Sequence, residues 1–278
     1  MAVKTQNIVY EPHIHEDPEF PIIFHMDEVI NRKGDSTYVM PHCHEGVEIL
    51  WVQSGRIEVF CDSKRITASA GEFVVISSER IHEVYAFTET ARYYCLIVDK
   101  SMCVSFGIFL EKITFRSLIS DKEAERKFKV ICREIEGKRL FYKAAAKTAS
   151  LDFIIHLCRK HVLSEESEGV QAVNLEPVKI AMRYIQENYG ENISTADIAR
   201  KVGLSKSYFC RLFKKHTRYT VVSYINLIRC ASAKRLFGTG RYLVSEVALL
   251  SGFDNSSYFS RTYKKYMGKL PSQTQTRD

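Results

Sequence analysis

Hydrophobic and polar positions alternate with period two in the first third of the chain and follow a helical period after it. Between Pro21 and about Asp99 the apolar runs are short and β-type. They are Val47-Glu48-Ile49-Leu50-Trp51-Val52, Arg56-Ile57-Glu58-Val59-Phe60, Phe73-Val74-Val75-Ile76 and Tyr93-Tyr94-Cys95-Leu96-Ile97-Val98, with Gly55 and Gly71 as punctuation. This pattern predicts an antiparallel sandwich or small barrel. From roughly 121 to 161, Phe128, Ile131, Cys132 and Ile135, then Leu151, Ile154, Ile155, Leu157 and Cys158, recur at helical spacing. Two amphipathic helices are predicted there. The polar, acidic, aperiodic stretch Leu163–Asn174 reads as a linker. The expected organisation is a β-rich domain with following helices over 1–163, a linker over 164–174 and an all-helical domain over 175–278, an α+β chain.

Beyond the linker the chain repeats itself. Ile198-Ala199, Gly203-Leu204, Tyr208-Phe209, Arg211, Phe213 and Lys214-Lys215 correspond to Val247-Ala248, Gly252-Phe253, Tyr258-Phe259, Arg261, Tyr263 and Lys264-Lys265. The offset is 49 up to the glycine and 50 from the tyrosine onward, so the second copy carries one inserted residue. A small residue four before a glycine suits a helix-turn-helix, in which the glycine supplies the backbone angles of a tight turn. Ser205 is placed as an N-cap in the first copy, and Asp254 or Asn255 in the second.

On a helix through 206–216, Phe209, Leu212, Phe213 and His216 share one face, while Ser207, Cys210, Arg211 and Lys214 share another. The second copy divides likewise, with Phe259, Thr262, Tyr263 and Tyr266 against Ser256, Ser257, Ser260, Arg261 and Lys264. An outward basic face can enter a major groove, arginine donating to guanine edges and lysine neutralising phosphates. Val222–Leu236 reads as one amphipathic connecting helix that fixes the spacing of the two units. Two successive major-groove segments on one side of B-DNA lie about 34 Å apart.

Charge agrees with this division. The net charge is +7, but residues 175–278 balance at +11 and residues 1–174 at −4, which points to a polyanion partner for the C-terminal part alone.

The repeat, and above all Gly252-Phe253-Asp254-Asn255-Ser256-Ser257-Tyr258-Phe259-Ser260-Arg261-Thr262-Tyr263-Lys264-Lys265 followed by Gly268 and Pro271, resembles the AraC/XylS family of bacterial transcriptional regulators. The resemblance covers nearly all of 175–278. It implies base and backbone reading by Lys206, Ser207, Cys210 and Arg211 in the first recognition helix and by Ser256, Ser257, Ser260 and Arg261 in the second. Two departures stand out: Arg218 occupies the place of a customary glycine, and Ser272-Gln273-Thr274 replaces the usual Tyr-Arg ending, which removes the residues on which the last short helix would be read.

In the β-rich part, Pro41-His42-Cys43-His44-Glu45-Gly46-Val47-Glu48, Gly55, Gly71-Glu72 and Ile81-His82 resemble the two motifs of the cupin barrel. His42, His44 and Glu48 are expected on one inward strand face, with His82 arriving from another strand. Three imidazoles and a carboxylate suit a divalent Zn, Fe, Ni or Mn ion. The alternative is that they bind an organic effector directly or hydrogen-bond one another. His13, His15 and His25 read as solvated residues of an N-terminal arm.

The resulting expectation is a DNA-binding regulator, not an enzyme, that answers to a small-molecule effector, a sugar being the first candidate. Double-stranded DNA, RNA polymerase and a second copy of the chain are the expected partners. The apolar stripes at 121–161 are the expected dimer interface, packing on their own barrel being the other option. The rival is a metal-dependent cupin enzyme with ligands His42, His44, Glu48 and His82, fused to a DNA-binding tail. No run approaches the ~18 apolar residues of a membrane span, and the N-terminus lacks a signal-peptide pattern, so a cytoplasmic location is expected. Cys43, Cys61, Cys95, Cys103, Cys132, Cys158, Cys210 and Cys230 are scattered without a C-x-x-C. That pattern suits reduced thiols, with a redox sensor as the sharper alternative.

Overall fold

The structure is a computed structural model that describes residues 19–31, 39–165 and 175–274. Backbone contacts divide these into two compact units, one of 19–31 with 43–165, the other of 39–42 with 175–274. The β-rich part runs β1 (Ile22–Asn31), β2 (Val39–His42), β3 (Val47–Ser54), β4 (Arg56–Cys61), β5 (Lys64–Ser69), β6 (Phe73–Ile76), β7 (His82–Ala86) and β8 (Thr90–Val98). A short α1 (Ser101–Val104), β9 (Ile113–Phe115), β10 (Leu118–Ile119), α2 (Lys122–Gly137), α3 (Tyr142–Lys160) and β11 (Val162–Glu165) follow.

The strands form a five-stranded sheet, β1-β8-β3-β6-β10, a four-stranded sheet, β2-β7-β4-β5, and a two-stranded pair, β11-β9. Antiparallel pairing holds for β1/β8, β3/β8, β3/β6, β4/β5 and β4/β7, as the alternating runs predict. Position by position, β3 is buried from Val47 to Val52, so its sheet is covered on both faces. Val47, Ile49 and Trp51 join Phe73, Val75, Leu96 and Val98 in one core with Phe128, Ile131, Phe153, Ile154 and Leu157 of α2 and α3. Glu48, Leu50 and Val52, one residue out of step, belong to the opposite face.

The two helices predicted at 121–161 are α2 and α3, and their apolar stripes lie on their own sheet. The expectation that these stripes form a dimer interface is therefore corrected, since the surface that required a partner is already covered within the chain. The linker boundary also moves. Residues 162–165 pair with β9 as β11, and 166–174 lie outside the described residues.

The helical unit contains α4 (Glu176–Asn188), α5 (Thr195–Lys201), α6 (Lys206–Thr217), α7 (Val221–Phe237), α8 (Val244–Leu250), α9 (Ser256–Met267) and α10 (Pro271–Thr274). The pairs α5–α6 and α8–α9 are the two copies of the repeat. Ser194, Ser205, Thr220 and Asn255 cap α5, α6, α7 and α9 by accepting a backbone N–H in the first turn. Asn255, and not Asp254, is thus the cap of the second recognition helix.

Three expectations are revised here. The connecting helix α7 is not amphipathic: Tyr224, Ile225, Leu227, Ile228, Cys230, Ala233 and Phe237 are buried around its circumference, because both helix-turn-helix units close upon it. Arg218 ends α6 in the left-handed region with φ 64°, as Gly268 ends α9 with φ 77°, so the backbone shape persists without the glycine. The last helix α10 forms despite the altered ending. Pro271 stands at its first position, and the Leu270 N–H donates to Gln273 Oε1 at 2.9 Å, replacing the lost signal by a capping bond. Among the described residues no helix is long and apolar enough to cross a membrane.

Candidate functional site

The two recognition helices present what their sequence periodicity predicts. Phe209, Leu212, Phe213 and His216 of α6 are buried, as are Phe259, Thr262 and Tyr263 of α9, with Tyr266 half-buried. Lys206, Ser207, Arg211 and Lys214 are exposed on α6, and Ser256, Ser257, Arg261 and Lys264 on α9. Cys210 and Ser260 occupy the same partly covered position in the two copies. Arg211, Lys214, Arg261 and Lys264 make no ion pair among the described residues, leaving their donors available to an external anion. Tyr258 is tied into the scaffold, its hydroxyl accepting from Asn226 Nδ2 at 2.7 Å.

The frame beneath these helices is held by Arg229 on α7. Its Nε donates to Tyr189 O and its Nη2 to Glu191 O, both at 2.8 Å, and its guanidinium lies 5.7 Å from the Phe253 ring centre. One side chain therefore joins the end of α4 to the turn between α8 and α9.

A second constellation lies in the β-rich part. His42, His44, Glu48 and His82 are all buried, and one ligand atom from each lies within 4.8 Å of those of the others. The expected single inward strand face is corrected. β2 ends at His42 and β3 begins at Val47, with a bend at Glu45-Gly46 between them. The His44 ring crosses that bend, its Nδ1 3.0 Å from Gly46 O and its Nε2 3.0 Å from Glu48 Oε2. From β7, His82 Nε2 approaches the same oxygen at 2.8 Å. Glu48 and His82 thus join the five-stranded sheet to the four-stranded one through the interior.

The remaining ring nitrogens define protonation. Nδ1 of His42, His44 and His82 lies 2.9, 3.0 and 2.8 Å from the carbonyl oxygens of Met40, Gly46 and Arg80. A carbonyl can only accept, so each Nδ1 carries a hydrogen. Each Nε2 is then either protonated as well, as an imidazolium, or a lone pair suited to a cation. Burial by itself would push the Glu48 carboxyl up, but the His82 charge and the hydrogen bonds from His44 and His82 outweigh it and hold it well below the usual carboxylate value. Burial likewise opposes charge on His82, and facing Glu48 raises its pKa in spite of that. Cys95 was not read from sequence as part of this site. Its Sγ donates to Glu48 Oε1 at 3.4 Å, a contact set by the β3–β8 pairing and carrying no local signal.

His25 is a strand residue of β1, paired opposite Cys95, and not part of a solvated arm; His13 and His15 lie outside the described residues. The redox-sensor alternative is weakened for the buried thiols, because burial pushes Cys61, Cys103, Cys132 and Cys230 up to about 12 and keeps them from the reactive thiolate form.

Comparison with known proteins follows the same division. Residues 198–277 match the family described as helix-turn-helix domain, and residues 27–97 the cupin domain. The Msm operon regulatory protein of Streptococcus mutans serotype c is 32% identical over 109 residues, 39% of this chain and 38% of that protein, so the shared stretch is well under half of that relative's length. An HTH-type transcriptional regulator from the cgkA 5′ region of Pseudoalteromonas carrageenovora is 32% identical over 123 residues, 42% of this chain and 73% of that protein. Fatty acid-bound ToxT from Vibrio cholerae strain SCE256 superposes with a TM-score of 0.51 at 15% identity, covering 91% of this chain and 94% of that one. At that identity the likeness is one of fold.

Proposed function

The chain belongs to the AraC/XylS family of transcriptional regulators, and from that premise we propose that it reads double-stranded DNA through α6 and α9 while its cupin-like part binds a small-molecule effector. The observation that carries this reading is the duplication of a capped helix with an exposed arginine at the same position, Arg211 and Arg261, on a common scaffold helix α7. Lys206, Ser207 and Cys210, and Ser256, Ser257 and Ser260, are the neighbouring reading positions; Lys214 and Lys264 neutralise phosphates. Because Ser207 and Cys210 are short, discrimination by α6 rests on Arg211. The relatives are named as regulators, which sets the fused-enzyme reading aside.

The test is selection from a random DNA library with the purified chain at fixed salt. Wild type is expected to recover one bipartite motif. Arg211→Ala and Arg261→Ala should each relax one half of it, at about 1–3 kcal/mol per lost base contact. Equal weakening on all sequences would mean phosphate binding only and would overturn sequence reading by these helices.

The four buried ligands support a resident divalent metal, Zn, Ni, Fe or Mn. One carboxylate cannot neutralise two buried imidazoliums, whereas a cation among the Nε2 atoms removes the need for either. Backbone carbonyls that fix each Nδ1 hydrogen are the usual orienting partners of metal-binding histidines. When bound, such an ion would offer a Lewis-acidic point for an oxygen-bearing effector; a sugar remains the first effector class to screen. After metal loading and dialysis, about one ion per chain is expected to remain in this cluster and to be lost in Glu48→Gln. Retention of that ion by Glu48→Gln, or none in wild type, would leave the cluster as a hydrogen-bonded network only. A cytoplasmic homodimer that contacts RNA polymerase completes the reading, its dimer contact lying elsewhere than the buried stripes of α2 and α3.

A further inference from the structure

We propose that Asp121, His156 and His161 form a second transition-metal site, independent of the barrel cluster, that takes a divalent ion such as zinc on one carboxylate oxygen and two imidazole nitrogens. His156 Nε2 and His161 Nε2 lie 2.8 and 2.7 Å from the same atom, Asp121 Oδ2, and one ligand atom from each residue falls within 4.8 Å of the others. Zinc bonds of about 2.0–2.1 Å place tetrahedral ligands about 3.3 Å apart, so each nitrogen needs to part from the shared oxygen by only about half an ångström to admit the ion.

The carboxylate is already aimed. Its other oxygen, Oδ1, accepts the Glu123 and Ala124 N–H groups at 2.8 and 3.2 Å at the start of α2, which leaves Oδ2 for the imidazoles. His161 is held at the end of α3: its N–H donates to Leu157 O, and its O accepts from Arg116 N–H, both at 2.8 Å. Burial raises the Asp121 carboxyl, but the hydrogen bonds from His161, His156 and the two amides prevail and keep it below the usual carboxylate range.

The three side chains are 12, 15 and 18% exposed, enough for an ion to enter and for water to complete the shell. Two nitrogens and one oxygen favour a borderline transition metal over magnesium or calcium, which require oxygen ligands. The ion would tie the first turn of α2 to the last residue before β11.

Equilibrium dialysis of the full chain with Zn2+ tests this. The His156→Gln, His161→Gln double variant is expected to bind one zinc fewer than wild type, whereas His82→Gln, altered in the barrel, retains this site. Asp121→Asn keeps a helix cap and should weaken zinc binding at the site at least about tenfold. Equal stoichiometry in wild type and the double variant would overturn the proposal, whatever the barrel cluster does. Should the variants fail to fold, diethylpyrocarbonate labelling of wild type decides: zinc should slow modification of His156 and His161 about tenfold or more, with excess Mg2+ without effect. Unchanged labelling of both histidines would overturn it equally.

Discussion

Replacing Phe128 by alanine is expected to cost about 3–5 kcal/mol of stability, the range for deleting a buried aromatic ring from a packed core. Phe128 is fully buried and sits at the centre of a group of rings. Its ring centre lies 5.4 Å from that of Trp51, 5.6 Å from that of Phe73 and 5.6 Å from that of Phe153. Trp51 and Phe73 stack at 5.7 Å on neighbouring strands, so the lost ring leaves a gap between the sheet and both helices. Rigid strands on one side and a helix pair on the other limit its collapse. The matching control is Leu140→Ala at the exposed connection between α2 and α3, where 86% of the residue meets solvent; its change should stay within about 0.5 kcal/mol. Urea unfolding followed by Trp51 fluorescence reads both, since Trp51 is the one tryptophan in the sequence. A loss below about 1 kcal/mol for Phe128→Ala would mean that α2 does not pack on this sheet as described.

The same cluster shows where sequence reading succeeds and where it stops. Strand periodicity located Val47–Val52 and Phe73–Ile76, and helical periodicity placed Phe128 and Ile131 on one face, because each pattern is local. That Trp51, Phe73, Phe128 and Phe153 meet depends on which elements pair across the unit, and no period encodes that. β1 was legible only as part of a β-rich region. A register shift between His25 and Glu28 and a left-handed Asp27 interrupt its alternation, so its apolar residues change face partway.

The functional sites divide in the same way. The helix-turn-helix faces were legible because the repeat supplies two aligned copies, each an internal control on the other. The barrel histidines were legible from a motif spacing, but the bend at Glu45-Gly46 and the Cys95 contact were not. Asp121, His156 and His161 left no signal, since His156 and His161 are five apart across a helix end and Asp121 lies 35 residues before His156. Helix α4 went unread for a different reason: it precedes the repeat and has no second copy.

Gly252 provides the sharpest test of the duplicated turn, because its counterpart Gly203 shares its backbone but not its surroundings. Both are left-handed, with φ 85° and 70°, a conformation that costs a residue bearing a Cβ about 1–2 kcal/mol. A Cβ at Gly203 would meet nothing within 4 Å, whereas one at Gly252 would stand 2.6 Å from Tyr189 O, 2.9 Å from Arg229 Nε and 3.1 Å from Gly190 Cα. The first two of those atoms are hydrogen-bonded to each other at 2.8 Å, so relief of the clash must push apart the end of α4 and the α8–α9 turn. Gly203→Ala is therefore expected to cost about 1–2 kcal/mol and Gly252→Ala about 2–5 kcal/mol, strain and overpacking together. Because α9 follows directly from that turn, Gly252→Ala should also weaken the half of the DNA motif assigned to Arg261 while leaving the Arg211 half intact. Denaturant midpoints and binding to half-site variants measure the two effects. Equal losses at the two glycines would show that the cramped contact with Tyr189 and Arg229 is not present in solution, and that the two turns differ in sequence alone.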